Sequence, residues 1–295
     1  MQYREGYMPF MGYQTYYRIA GDLHSGKAPL LLLHGGPGST HNYFEVLDAL
    51  AEKDGRALIS YDQLGCGESY LDGHPELWTS ETWVRELMAL REHLNLTECH
   101  LLGQSWGGML LLDYVCNDAP EGIRSIILSS TLPASRLWGI EQHRMIKELP
   151  QEMQDAIATA DESGDYSAPA YLAAEEEFML RHAAGMFTES DPECLRRRKR
   201  SGREAYLTAW GPNEFTPQGT LKDYDVIDQL QNIHEPALII SGGNDLCTPY
   251  IAKLMADKIP NSRWELFRTC RHMCFVEDTE NYMALLQQWL NAHDK

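Results

Sequence analysis

Short apolar blocks and longer amphipathic stretches alternate along the first 132 residues. A block of about four to eight apolar residues suits a buried strand, whereas apolar positions recurring every three or four residues suit a helix packed on one face. Leu30–Leu33, Ala57–Tyr61, Cys99–Leu102 and Ile123–Leu128 therefore predict strands, and Trp78–Leu94 and Met109–Cys116 predict helices. This alternation predicts a mainly parallel sheet with helices on its faces.

From about residue 133 to 228 the strand blocks disappear and helical periods replace them, as in Arg136–Leu149 and Tyr171–His182. Strand blocks resume at Ala237–Ile240 and Trp264–Phe267, and Tyr282–Leu290 predicts a closing helix. The expected organisation is one α/β core, residues 1–132 and 229–295, with a helical cap, residues 133–228, inserted in it. There is no internal repeat, low-complexity segment or linker.

With 43% hydrophobic and 23% charged residues the chain has the make-up of an ordinary globular protein. The net charge of −18 repels phosphate backbones and anionic lipid, so neither nucleic acid nor a membrane is an expected partner. The basic run Arg196-Arg197-Arg198-Lys199-Arg200 lies among Glu189, Asp191, Glu193 and Glu204, and is expected to be the solvated face of a helix. The first ten residues lack the basic-then-apolar pattern of a signal peptide, and no apolar run approaches the roughly 18 residues of a membrane span. Seven cysteines, an odd number without framework spacing, complete the expectation of a reduced cytoplasmic protein with free thiols.

The chemistry enters at Gly103-Gln104-Ser105-Trp106-Gly107, which fits Gly-x-Ser-x-Gly between a predicted strand and a predicted helix. A nucleophilic serine on such a turn needs flanking residues without side chains, so that strand and helix can approach. It also needs a base and an acid, following in the order Ser, Asp, His. Asp245 comes just after the strand ending at Ile240, and His272 comes after the next strand, before the final helix. His272 would accept the serine proton while Asp245 holds its tautomer. Two backbone N–H groups must face the developing oxyanion; Trp106, directly after the serine, and Gly36, in the turn His34–Gly38, are the candidates. Cys270 and Cys274 flank His272, but no second Cys/His cluster accompanies them, so neither a metal nor another cofactor is expected.

These residues lie in stretches that resemble the proline iminopeptidases, or prolyl aminopeptidases, of lactic acid bacteria. The matching segments are LLLLHGGPGS at 30–39, YDQLGCGES at 61–69, LLGQSWGGM at 101–109, AWGPNEFTP at 209–217, DLCTP at 245–249 and WELF at 264–267. The resemblance implies an α/β-hydrolase fold, a mostly parallel sheet flanked by helices with an inserted helical cap. It implies a serine aminopeptidase that releases N-terminal proline from short peptides through an acyl-enzyme, without a metal. It carries over Ser105, Asp245 and His272 as triad, Gly36 and Trp106 as oxyanion donors, and Glu214 with Tyr206 as contacts to the substrate's amino end. Related archaeal tricorn-associated peptidases have a second amine-binding glutamate directly after the catalytic Asp, where this chain has Leu246. A single anchoring carboxylate, or a second one elsewhere in the cap, is then implied. An amino-acid amidase or esterase would use the same triad, and a non-catalytic ligand receptor on this fold is the more distant alternative.

Overall fold

The computed structural model describes residues 2–294. Eight strands form one sheet in the order β1-β2-β4-β3-β5-β6-β7-β8. β1 (Tyr3–Phe10) and β2 (Tyr13–Ala20) form an antiparallel hairpin, and β2 pairs antiparallel with β4 (Leu58–Tyr61). All remaining pairings are parallel and use β3 (Leu30–Leu33), β5 (Cys99–Gln104), β6 (Ile123–Ser129), β7 (Ala237–Gly242) and β8 (Ser262–Phe267). β3 to β7 are buried on both faces apart from the first two residues of β6, which is why they read as continuous apolar blocks.

The hairpin was not among the predicted elements. Its two-residue turn, Met11-Gly12, has positive φ at both positions (50° and 84°), the geometry that matches the twist of paired strands. β1 forms the sheet edge and leaves Tyr3 and Tyr7 largely exposed, so its hydrophobic block is broken by solvent-facing positions.

The helices are α1 (Asp48–Asp54), α2 (Ser80–His93), α3 (Trp106–Asn117), α4 (Ser135–Ile146), α5 (Gln151–Ser163), α6 (Pro169–His182), α7 (Glu193–Arg196), α8 (Arg203–Ala209), α9 (Pro249–Lys258), α10 (Cys274–Glu277) and α11 (Thr279–Ala292). α4 to α8 all lie between β6 and β7. Where this excursion leaves and rejoins the sheet its two ends are tied together: Ala134 and Asp225 form an antiparallel bridge, and Val226 N–H donates to Pro133 O at 2.9 Å. Trp138, Phe178 and Phe215 from the excursion share one apolar core with Leu31, Ile59 and Leu101 of the sheet. A second core, built around Leu102, Ile127, Leu238, Phe275 and Tyr282, fills the opposite face.

The basic run departs from expectation. Only Arg196 is helical, because α7 ends there and the following chain is pinned to core loops: Gly67 N–H donates to Arg200 O, and Gly202 N–H to Gly38 O, each at 2.8 Å. Arg197 pairs with Glu45 and Glu193, and Arg200 stacks 3.4 Å over the ring of Tyr70. Lys199 turns inward instead of joining a solvated face.

Candidate active site

In-register parallel pairing of β3, β5, β6 and β7 brings their carboxyl ends to one edge, with Leu33 opposite Gly103, Gln104 opposite Ser129, and Ser129 opposite Ile240. The crevice beyond such an edge is where open α/β sheets bind ligands. Ser105 occupies the passage from β5 to α3 with φ 54° and ψ −123°. A non-glycine residue in such a conformation costs about 1–3 kcal/mol, and it persists here because the neighbours leave no alternative. A Cβ on Gly103 would strike the carbonyl of Gly107, and one on Gly107 would strike the carbonyl of Leu33. The hydroxyl of Thr131 also holds the Ser105 carbonyl, at 2.6 Å.

Asp245 follows β7 and is buried. Its Oδ1 lies 2.7 Å from Nδ1 of His272 and accepts Cys247 N–H at 2.8 Å, while Oδ2 accepts Ser130 Oγ–H at 2.7 Å and Gly242 N–H at 2.9 Å. Four donors therefore fix the carboxylate, and the carboxylate fixes the imidazole with Nδ1 as the donor. Ser105 and His272 line the same cavity. No direct hydrogen bond joins them among the described residues; such contacts commonly tighten only when substrate is bound.

Gly36 lines this cavity, and the Trp106 N–H lies in the first turn of α3, where backbone donors lack an intrahelical acceptor. Sequence reasoning missed the residue that ties His34, at the start of the turn that holds Gly36, to the side chain of Trp106. Gln63, in the turn after β4, donates its side-chain amide to His34 O at 2.9 Å and accepts Trp106 Nε1–H at 2.7 Å. Its backbone N–H donates to Nε2 of His34 at 3.0 Å. Burial pulls the His34 imidazole down to about 4, so it is a neutral acceptor at that bond.

Glu214 and Tyr206 reach the same region from the excursion. Tyr206 O–H donates to Oε1 of Glu214 at 2.8 Å, and Trp138 Nε1–H donates to the Glu214 carbonyl at 2.7 Å. Tyr206 is thus a partner of the carboxylate. Glu214 lines the cavity with Ser105 and His272, and no cation forms an ion pair with it among the described residues. Burial holds its carboxyl above the usual range, opposed by the Tyr206 hydrogen bond and by His272, with Glu175 adding to the rise.

Glu175, on α6, is the second residue that sequence reasoning missed. It accepts Tyr171 O–H at 3.1 Å, and burial raises its carboxyl too. The signal was present in the helical spacing: Glu175 follows Tyr171 by one turn and adjoins the buried positions Ala174 and Phe178. Leu246 is buried and contributes apolar wall, with Met179, Ala183, Phe187 and Met273, to a cavity of about 290 Å3.

His34, Asp62 and Cys66 bring potential metal-ligand atoms within 4.8 Å of one another. Their donor capacity is already used: Nε2 of His34 accepts Gln63 N–H, Asp62 binds His41, and burial holds the Cys66 thiol well above its usual range. Among the described residues no helix is long and apolar enough to cross a membrane.

The sequence profile of the alpha/beta hydrolase fold family matches residues 28–279. The chain is 62% identical to a proline iminopeptidase of Lactobacillus helveticus and 60% identical to one of Clostridium botulinum, in each case over 100% of both chains. A crystal structure of a proline iminopeptidase from Mycobacterium smegmatis superposes with a TM-score of 0.87 at 33% identity, covering 99% of each chain.

Proposed function

The chain belongs to the proline iminopeptidases of the α/β-hydrolase family, and from that premise we propose that Ser105, His272 and Asp245 release N-terminal proline from short peptides through an acyl-enzyme. Ser105 Oγ attacks the prolyl carbonyl as Nε2 of His272 takes its proton. Asp245 holds the Nδ1–H tautomer and stabilises the imidazolium. The N–H groups of Gly36 and Trp106 receive the oxyanion, on a loop and a helix that Gln63 joins. Collapse of the tetrahedral adduct expels the peptide amine, which takes its proton from His272. A water molecule then attacks the prolyl ester with His272 again as base, freeing proline and Ser105.

Residues 133–228 act in this reading as the cap that selects the substrate. The observation that carries the selection is Glu214: a carboxylate without a cationic partner among the described residues, lining the cavity of the nucleophile. A protonated prolyl amine supplies the missing charge, and Glu175 adds negative potential behind it. The apolar wall from Met179 to Met273 suits the pyrrolidine ring. Seven free thiols fit a reducing compartment, the cytoplasm.

Comparison of prolyl arylamide with N-acetylprolyl arylamide tests this reading. Acetylation removes a charge-assisted contact worth about 1.5–3 kcal/mol and leaves Glu214 unpaired, so kcat/KM should drop by about 10²-fold or more. Comparable rates on the two substrates would instead identify a general amidase or esterase.

A further inference from the structure

A second charged group faces the cavity of Ser105, and the reaction described above does not use it. Lys199 lines that cavity beside Ser39 and Tyr43, and it also lines a more polar cavity of about 480 Å3 next to β1 and β2. It is therefore a wall common to both spaces. Among the described residues its ammonium forms no ion pair or hydrogen bond; its contact is the ring of Tyr43, with Nζ 5.3 Å from the centroid. Acidic side chains outnumber basic ones 43 to 25 in this chain, so a lysine without a carboxylate is not explained by a shortage of partners. Arg197, two residues earlier in the same run, has two of them. Burial draws the Lys199 ammonium below the usual lysine range, against the opposing pull of Cys194, Asp62 and Glu45.

A partly buried ammonium with no ion-pair partner is costly unless an anion arrives to meet it. Glu214 offers the opposite sign in the same cavity, and the two side chains do not pair with each other. The ligand that satisfies both is positive at one end and negative at the other, with the bond to be cleaved between them. At about 290 Å3 the cavity sits near the lower limit of small-molecule sites, roughly 300–1,000 Å3. A zwitterionic dipeptide or tripeptide meets both conditions. We propose that Lys199 binds the C-terminal carboxylate of such peptides, making this enzyme selective for very short substrates with a free C-terminus. The inference rests on the reading of Glu214 as the amine anchor, and it adds a specificity-determining residue on the leaving-group side.

The test is the ratio of kcat/KM for Pro-Ala over Pro-Ala amide, which share the amine and the scissile bond and differ only in the terminal carboxylate. The parent should favour the free acid at least tenfold. Lys199→Met and Lys199→Gln should bring the ratio to about one, and Lys199→Arg should retain most of the preference. A parent ratio near one would overturn the proposal. So would folded Met and Gln variants, checked by circular dichroism, that keep the parent ratio, because Lys199 would then be structural. Turnover of prolyl arylamide by the parent separates the two levels of argument. If the parent cleaves it but does not discriminate the carboxylate, the Lys199 proposal alone fails; if the parent does not cleave it, the aminopeptidase reading fails first.

Discussion

Replacing Glu214 by Gln keeps the size and shape of the side chain and removes its charge. The amide oxygen can still accept the Tyr206 O–H, so the local packing survives. The substrate ammonium loses a charged acceptor in a cavity where water competes poorly. A hydrogen bond to a charged group is worth about 1.5–3 kcal/mol, and breaking one side of a buried pair costs about 3–5 kcal/mol. Because the amide oxygen retains part of the interaction, a loss near the junction of these ranges is expected, about 10²-fold in kcat/KM on prolyl arylamide. The loss should exceed that on a small uncharged acyl ester by a similar factor, since the ester makes no demand on this carboxylate. Stability should not decrease, because Gln relieves the burial of a carboxylate whose ionised form is disfavoured by its surroundings. The pH profile adds an independent check. Burial raises the Glu214 pKa, and the ionised form is needed to receive the amine, so parent activity on prolyl arylamide should be lost as pH falls through that raised value. The variant should lack this component of the acid limb. Equal losses on arylamide and ester, or a clear drop in Tm, would show that Glu214 supports the fold and would refute its role as anchor.

Gln63→Leu leaves His34 O and Trp106 Nε1 without their partner, and should lower kcat by about tenfold or more on arylamide and ester alike through displaced oxyanion donors; unchanged kcat would remove Gln63 from the positioning of the site. Glu86 is fully buried on α2, accepts hydrogen bonds from the Thr15 hydroxyl and Leu64 N–H, and is pushed up to about 7 by burial. The folded state therefore keeps a proton that the unfolded chain has released. Stability of the parent relative to Glu86→Gln should fall by up to about 1.4 kcal/mol per pH unit between the ordinary glutamate value of 4.5 and about 7, then level off. Chemical denaturation at several pH values measures this, and a difference independent of pH would contradict it.

The central strands and the Gly-x-Ser-x-Gly turn were legible because local rules govern them. Leu30–Leu33 is buried on both faces and reads as an unbroken apolar block, and Gly103 and Gly107 are required by the approach of backbone to backbone. Asp245 and His272 were singled out by their placement after strands, in an order that the fold imposes, and the structure brings them within 2.7 Å of each other. The β1–β2 hairpin escaped because a one-sided edge strand such as Tyr3–Phe10 mixes exposed tyrosines with buried positions. Gln63 and Lys199 escaped for another reason. Their roles depend on partners distant in sequence, such as Trp106 for Gln63 and Tyr43 for Lys199, and no local pattern encodes those contacts. The basic run shows the same limit: its charge context suggested the solvated face of a helix, but the helix ends at Arg196 and the chain beyond it is anchored at Gly67 and Gly202, with Lys199 toward the cavity.

The central claim is that Ser105 performs the chemistry on a substrate with a free N-terminal proline. Its most direct test is kcat for prolyl arylamide by the parent and by Ser105→Ala, purified without contact with any other peptidase. Removing the nucleophile of such a triad costs on the order of 10⁶ in kcat while the fold is retained. The parent should release the arylamine rapidly and the variant should turn over only at the detection limit, with matching circular dichroism spectra. A folded Ser105→Ala protein that keeps more than a few per cent of parental turnover would contradict it.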